Sequence, residues 1–351
     1  ASVSNYFCGC LSVASRDVPG TLVISQRVPA GHAPLPLEAG TAARIFTGAE
    51  IPAGADAIIL QEDAETGEGQ ATLPAALLGQ HIRRQGSDIQ PGDELVAAGH
   101  RLTPQDIGLL ASVGLNAISV FRPLSVAVLT TGDELREPGS GGLDPGQIFN
   151  SNRFSLAAQI RALGMAVIDC GNLPDDPDQI GEALERAAVE VDCIVTAGGV
   201  SVGDEDHVKS QIEQRGALDL WKLAIKPGKP LAFGHVAGTP IFGLPGNPVS
   251  AFITFALVAK PWLIKRQGGH PLPVQRFPVK AAFSITRPGT REEFLRVRLM
   301  GSGEALRVAL TGSQSSGVMT SLSEADGLAV IAPGTTVAEG DWVEVMPLSA
   351  L

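Results

Sequence analysis

Through the middle of the chain, short apolar runs alternate with amphipathic stretches. Residues 125–130 are a continuous apolar run of strand length, and 165–170 and 192–197 read as a second and a third strand, the pattern of strands buried on both faces. Between and after them lie amphipathic segments at 153–163, behind Asn150 and Ser151 as caps, at 178–189, opened by Asp176-Pro177, and at 208–215. Residues 230–243 read as a hairpin and 248–266 as a long apolar helix. Such alternation predicts a mostly parallel sheet with helices on both faces. Ligands on such sheets bind where the carboxyl ends of the strands meet the loops.

The flanks follow a different period. Residues 16–88 are rich in Pro, Gly and β-branched residues, with short runs such as Thr21-Leu22-Val23-Ile24 and Ala57-Ile58-Ile59-Leu60, and read as a small β domain. Residues 89–122 carry a helix with Thr103 as N-cap and Pro104 at its first position, then an expected strand at 117–121. Beyond 271, short strands are expected at 279–285, 294–299, 306–310, 327–331 and 342–345, as a small barrel or sandwich. The expected organisation is α/β plus β and multidomain: a divergent remnant at 1–15, a β-rich domain at 16–88, the remainder of an elongated linker domain at 89–122, an α/β domain at 123–270 and a β barrel at 271–351.

Composition narrows the chemistry. The 351 residues include 41 Gly and 25 Pro, which favours turns and short strands over a helical bundle. A net charge of −11 argues against a phosphate-backbone binder, so no nucleic-acid partner is expected, and any anion site must be a local positive pocket. Cys8, Cys10, Cys170 and Cys193 make no disulfide framework; Cys170 and Cys193 read as buried thiols. Cys8-Gly9-Cys10 lacks the second ligand pair that zinc requires. With no apolar run of membrane length and no signal peptide, the expectation is a soluble cytoplasmic protein; Ala1 in place of Met implies that the natural start is missing or was processed.

Lysine is absent from the first 208 residues, and four of the seven then fall between Lys209 and Lys229. Three sit in Trp221-Lys222-Leu223-Ala224-Ile225-Lys226-Pro227-Gly228-Lys229-Pro230. Compact ammonium groups on a stiff Pro/Gly turn suit an oxyanion; a solvated surface turn is the alternative. Thr130-Thr131-Gly132-Asp133-Glu134 follows the first central strand and presents two carboxylates where a metal or ribose ligand belongs, unless Asp133 merely caps the next N–H groups. After the third strand, Gly198-Gly199-Val200-Ser201-Val202-Gly203 lets N–H groups face a phosphate, and Asp204, Glu205 and Asp206 follow as Mg2+ ligands or helix-dipole partners. Gly246-Asn247-Pro248 opens the long helix, with Asn247 as cap. Arg44-Ile45-Phe46-Thr47-Gly48-Ala49 and Arg83-Arg84-Gln85-Gly86-Ser87-Asp88 read by themselves as loops.

Taken in order, these segments together with Asn150-Ser151-Asn152 resemble the molybdopterin molybdenumtransferase family (MoeA, and the E domain of gephyrin) over residues 16–351. The resemblance implies a central three-layer α/β domain like that of molybdopterin adenylyltransferase and a homodimer with its cleft between one protomer's α/β domain and the other's β domain. It implies a Mg2+-dependent reaction that takes adenylylated molybdopterin and molybdate to molybdenum cofactor and AMP, with other molybdenum-cofactor proteins as partners and no membrane. By motif, Glu134, Asp175, Asp206, Lys222, Lys226, Thr47 and Asp88 correspond to the family's functional positions, with Glu134 and Asp206 as metal ligands. Gly198, Gly199, Ser201, Gly203, Gly246 and Asn247 would cradle the substrate, and Lys226, Lys229, Arg296 and Ser321 would take molybdate.

One segment departs. Where the family carries a Met-Asp-Gly-Tyr-Ala type of sequence, this chain reads Phe7-Cys8-Gly9-Cys10-Leu11-Ser12-Val13, with no acid, and an altered or truncated N-terminus is expected. Two rival readings follow from the same motifs: a gephyrin-like scaffold with a vestigial site, and a molybdopterin adenylyltransferase.

Overall fold

The computed structural model describes residues 3–4, 9–200 and 207–351; three of the expected site residues, Ser201, Gly203 and Asp206, lie outside these. The chain divides into two compact units, Ala1–Leu95 and Val96–Leu351.

The first unit is built on strands β1 (Cys10–Val13), β2 (Gly20–Val28), β3 (Thr41–Ile45), β4 (Ala57–Leu60), β5 (Glu65–Gly67) and β6 (Gln70–Leu73). They form one sheet in the order β4-β1-β3-β2-β6-β5, parallel only between β2 and β3. Alternate residues serve two cores. Leu11, Val13, Ile59 and Leu73 pack on one face, and Cys10, Val28, Ile45 and Ile58 on the other. Every residue of β1 is buried, so this strand, inside the segment expected to be a divergent remnant, is an interior part of the sheet.

In the second unit, α1 (Pro104–Ser112) starts at a complete capping box. Thr103 Oγ1 accepts from the Asp106 N–H while the Asp106 carboxylate accepts from the Thr103 N–H. The strand expected at 117–121 is not formed: these residues are exposed and pair with no other strand among the described residues.

The α/β layer then runs through β7 (Ser125–Thr131), α2 (Asn152–Ala162), β8 (Ala166–Leu173), α3 (Pro177–Glu190), β9 (Cys193–Ala197), α4 (His207–Arg215), β10 (Gly216–Trp221), β11 (Ala232–Val236), β12 (Thr239–Leu244) and α5 (Pro248–Arg266). The strand order is β8-β7-β9-β12-β11-β10. The first four run parallel, and the last two joints are antiparallel. Two reversals restore direction, so β10 ends at the same edge of the sheet as β7, β8, β9 and β12.

Strand pleating divides the core into two faces. Val126 and Val128 face Leu156, Ile160, Phe255 and Leu263 of α2 and α5, whereas Ala127 and Leu129 face Ile180, Leu184 and Ile212 of α3 and α4. This is a three-layer sandwich. Cys193 is buried as expected, but Cys170, on the edge strand β8, is only half-buried.

Helix α5 is long and apolar enough to cross a membrane by length and composition, contrary to the sequence expectation, yet half of that stretch is buried inside the fold. Val249 and Ile253 pack toward the C-terminal domain, and Ala251 and Phe255 toward the sheet. It is a core helix whose apolar faces have two partners. Its middle, Phe255–Ala259, widens into a π turn just before Pro261, where proline has no N–H to donate and its ring crowds the preceding turn.

The C-terminal domain comprises β13 (Phe277–Ala281), β14 (Glu292–Met300), β15 (Arg307–Leu310), α6 (Met319–Ser323), β16 (Gly327–Ile331) and β17 (Trp342–Pro347). Pairing runs β14-β15-β13-β17-β16 and returns to β14, which closes a five-stranded barrel. The two-residue strand Ile225–Lys226 adds in parallel to β14, opposite Glu292 and Glu293, and ties the lysine turn to the barrel.

Candidate active site

Five loops emerge at the carboxyl-end edge of the α/β sheet, and they carry most of the expected residues. Asp133 and Glu134 follow β7, Asp175 follows β8, Gly198 and Gly199 follow β9, Gly246 and Asn247 follow β12, and Lys222 follows β10. From β7 to β10 is four strand spacings, about 19 Å, so this edge suits an extended ligand rather than a single small ion.

At one end, two turns interlock. The Asp133 N–H donates to the Asp175 carboxylate and the Asp175 N–H to the Asp133 carboxylate, each at 3.2 Å. A polar ladder beneath fixes both turns: Asn172 Nδ2 donates to the Gly132 carbonyl at 3.1 Å, Thr130 Oγ1 to Asn172 Oδ1 at 3.1 Å, and Asn150 Nδ2 to Thr130 Oγ1 at 2.8 Å. Asn150 Oδ1 also accepts from the Arg153 N–H at the start of α2; Ser151, the other expected cap, makes no side-chain cap bond. Next to the pair, Asp176 caps α3 by accepting from Asp178 and Gln179 N–H groups, and those bonds, Gln179 first, hold its carboxyl below the usual range.

The exposed Glu134 carboxylate folds back over Gly132. Sequence reasoning chose Glu134 and read Asp133 as a possible cap; the structure gives Asp133 the contact with Asp175. The doubled acid in Thr-Gly-Asp-Glu was the available signal.

The glycine turn is built for close approach. A Cβ at Gly198 would strike the Thr131 backbone, and one at Gly199 would strike Val208 and Thr131 Oγ1. Gly198 donates its N–H to the Leu244 carbonyl at 3.1 Å, and a Cβ added at Gly246 would come into van der Waals contact with Gly198. Asn152 Nδ2 donates to the Gly246 carbonyl at 2.6 Å. Thr131 Oγ1 and Asn152 Oδ1 are buried and have no hydrogen-bond partner among the described residues.

Asn247 stands at the N-cap of α5 but makes no capping bond, contrary to expectation. The Ser316 carbonyl, from a barrel loop, accepts the Val249 N–H at 3.0 Å instead. A tertiary contact has displaced the local cap and leaves the Asn247 amide exposed.

The lysine turn is held at several points. Lys222 donates its N–H to the Leu231 carbonyl at 3.0 Å and Leu223 to the Lys229 carbonyl at 2.9 Å. Lys222 has φ of 79°, a left-handed conformation that costs a non-glycine residue energy. Gly228 has φ of 114°, and a Cβ there would meet Thr254 Oγ1 of α5. Lys226 Nζ pairs with both oxygens of Glu293 at 3.2 Å, an acid that sequence reasoning did not single out. Lys222, Lys226 and Lys229 are all exposed.

Arg296 lies on β14, three residues beyond Glu293, and is 1% exposed. Its guanidinium donates to the Ser313 and Ser315 carbonyls at 3.1 and 3.0 Å and to Ser321 Oγ at 3.2 Å; burial lowers its pKa. Arg296 and Ser321 are thus brought together, with the cation organising the 313–316 loop that caps α5.

Thr47 and Asp88 belong to the first unit. Thr47 sits exposed in a turn closed by the Ala49 N–H to the Phe46 carbonyl at 2.8 Å. Asp88 accepts from Arg83 at 2.8 Å.

Three family models match the chain: MoeA N-terminal region (domain I and II) at residues 11–114, a probable molybdopterin binding domain at 127–265, and MoeA C-terminal region (domain IV) at 278–348. Molybdopterin molybdenumtransferase 2 of Mycobacterium tuberculosis (H37Rv) is 38% identical over 348 residues, 96% of this chain and 85% of that protein. Molybdopterin molybdenumtransferase of Haemophilus influenzae is 44% identical over 231 residues, 65% of this chain; the match spans only 57% of that protein. A solved structure of a molybdopterin biosynthesis MoeA protein from Pyrococcus horikoshii is 27% identical with a TM-score of 0.81, covering 99% of this chain and 87% of that one.

Proposed function

We infer the reaction from membership: this chain belongs to the molybdopterin molybdenumtransferase (MoeA) family, and so to molybdenum cofactor biosynthesis. We propose that it is the transferase that takes adenylylated molybdopterin and molybdate to molybdenum cofactor and AMP. One observation carries this reading. The paired aspartates, the glycine turn and the lysine turn all leave the sheet at one edge, across a span that fits an elongated phosphoanhydride rather than a mononucleotide. The MoeA N- and C-terminal regions on either side of the α/β domain favour it over a lone adenylyltransferase.

In this reading water adds to the adenylyl phosphorus, the anhydride P–O bond breaks, and AMP leaves. Molybdate exchanges oxygen, lost as water, for the two dithiolene sulfurs. Gly198 and Gly199 hold the pyrophosphate close to the backbone, since neither position has room for a side chain. Lys222, Lys226 and Lys229 offset negative charge on phosphate and molybdate, with Arg296 and Ser321 as the molybdate positions on the barrel side.

Among the described residues no three acids, cysteines or histidines are grouped to hold a metal by themselves. Mg2+ needs only one or two carboxylates when substrate phosphates complete its shell, and the hard oxygens of Asp133, Asp175 and Glu134 fit that demand. Asp206 would join them. Bound there, Mg2+ would supply positive charge to the phosphate oxygens. We propose further a cytoplasmic homodimer in which Thr47 and Asp88 serve the partner's cleft.

The test is direct. The protein is incubated with adenylylated molybdopterin, Mg2+ and molybdate, and AMP is measured beside Lys226→Ala. Molybdate-dependent AMP, lost in the variant, is expected; its absence from the unsubstituted protein would sink the reading.

A further inference from the structure

Trp221, the last residue of β10, is half-buried and joins three parts of the edge. The Lys222 ammonium lies 3.7 Å from the centre of the indole ring, and the Lys209 ammonium lies 4.6 Å from it. The indole N–H donates to the Val200 carbonyl at 3.3 Å, at the end of the glycine turn. One side chain thus spans from the sixth strand of the sheet back to the loop after the third.

The negative face of indole can hold an ammonium group without neutralising it. A carboxylate would cancel the charge that the site needs. Lys209 also pairs with Glu213 at 2.9 Å, which anchors it on α4. Lys222 has no such helix beneath it: it sits in a left-handed backbone conformation on an exposed turn. A flexible four-carbon stem there loses entropy when it settles on an anion, unless something holds it beforehand.

We propose that Trp221 is the positioning residue for Lys222, keeping its ammonium in place beside the glycine turn through the cation–ring contact and the bond to Val200. The inference rests on the insertase reading for what Lys222 does, but concerns only how it is held. The indole does not touch reacting atoms.

The experiment is a double-mutant cycle on molybdate-dependent AMP release, with kcat and KM separated and thermal unfolding followed in parallel. Trp221→Leu should lower kcat/KM about 30-fold, whereas Trp221→Phe, which keeps a ring face, should stay within about fivefold. In a Lys222→Ala background, Trp221→Leu should have no further effect, because the lysine it positions is already gone. Trp221→Met replaces the leucine variant in the cycle if leucine prevents folding.

Additive losses, an equal loss in Trp221→Phe and Trp221→Leu, or a Trp221→Leu protein as active as the unsubstituted one would each overturn the proposal. An unsubstituted protein that releases no AMP would instead count against the insertase reading. Binding of inorganic pyrophosphate, measured by calorimetry, then still tests the positioning role: it should weaken about tenfold in Trp221→Leu and be unchanged by that substitution when Lys222 is absent, and any other pattern refutes it.

Discussion

Asp133 and Asp175 hold each other by reciprocal bonds, the backbone N–H of each reaching the carboxylate of the other at 3.2 Å, across 42 residues of sequence. Two acids of like charge are brought together by their own main chains. Asp175→Asn keeps an acceptor for the Asp133 N–H while removing charge. It should therefore leave the unfolding temperature within about 2 °C, raise the Mg2+ concentration for half-maximal activity, and lower kcat about 100-fold. Unchanged Mg2+ dependence would remove this pair from the metal assignment.

Glu293 occupies the Lys226 ammonium that molybdate is proposed to meet. The lysine is about half exposed, so the pair contributes little to stability, roughly 1 kcal/mol or less. Glu293→Gln should leave the unfolding temperature unchanged and lower the molybdate KM about fivefold, because the anion no longer competes with a carboxylate. A raised KM would mean that Glu293 aims the lysine rather than shielding it.

Thr254 Oγ1 is buried directly beneath Gly228 and has no hydrogen-bond partner among the described residues. Thr254→Val removes an unsatisfied hydroxyl at nearly constant volume and should stabilise the fold by about 1 kcal/mol. Gly228→Ala places a methyl against the same atom and forbids the left-handed turn. It should cost activity at least tenfold. Calorimetric unfolding and AMP release distinguish the two effects.

Asp192 supplies the acid-stability prediction. Arg122 holds both of its oxygens, at 2.6 and 2.8 Å, and the Ser125 N–H donates at 2.8 Å. The Arg122 bonds first, then those from Ser125, keep its carboxyl far below the unfolded value near 3.9. The folded pKa is depressed, so the stability is present above that unfolded value and disappears as pH falls toward the folded one. Asp192→Asn should lower the unfolding temperature by about 2–5 °C, constantly from pH 5 to 8, and the gap should close below about pH 4. A gap that grows in acid would contradict the assignment.

Elements with strong local signals were legible. The central strands, the hairpin at β11 and β12, the α1 N-cap at Thr103 and α5 lie within a few residues of their predicted positions. Failures fall where a local signal met a tertiary competitor. Residues 117–121 had strand-like composition but no pairing strand among the described residues. Asn247 had the chemistry of a cap, yet the Ser316 carbonyl took the N–H available there. Cys170 lies on an edge strand, which leaves one side uncovered.

The chain by itself determined the order of strands and helices and the residue types at their ends, because side-chain periodicity and capping act within a few residues. Folding alone decided which loops share an edge. The two reversals that return β10 to the direction of β7 depend on strand pairing far apart in sequence. So do the bond between Asp133 and Asp175 and the hold of Glu293, 67 residues away, on Lys226. Burial and hydrogen bonding across such separations have no local periodicity to announce them, and they convert a list of loops into a site.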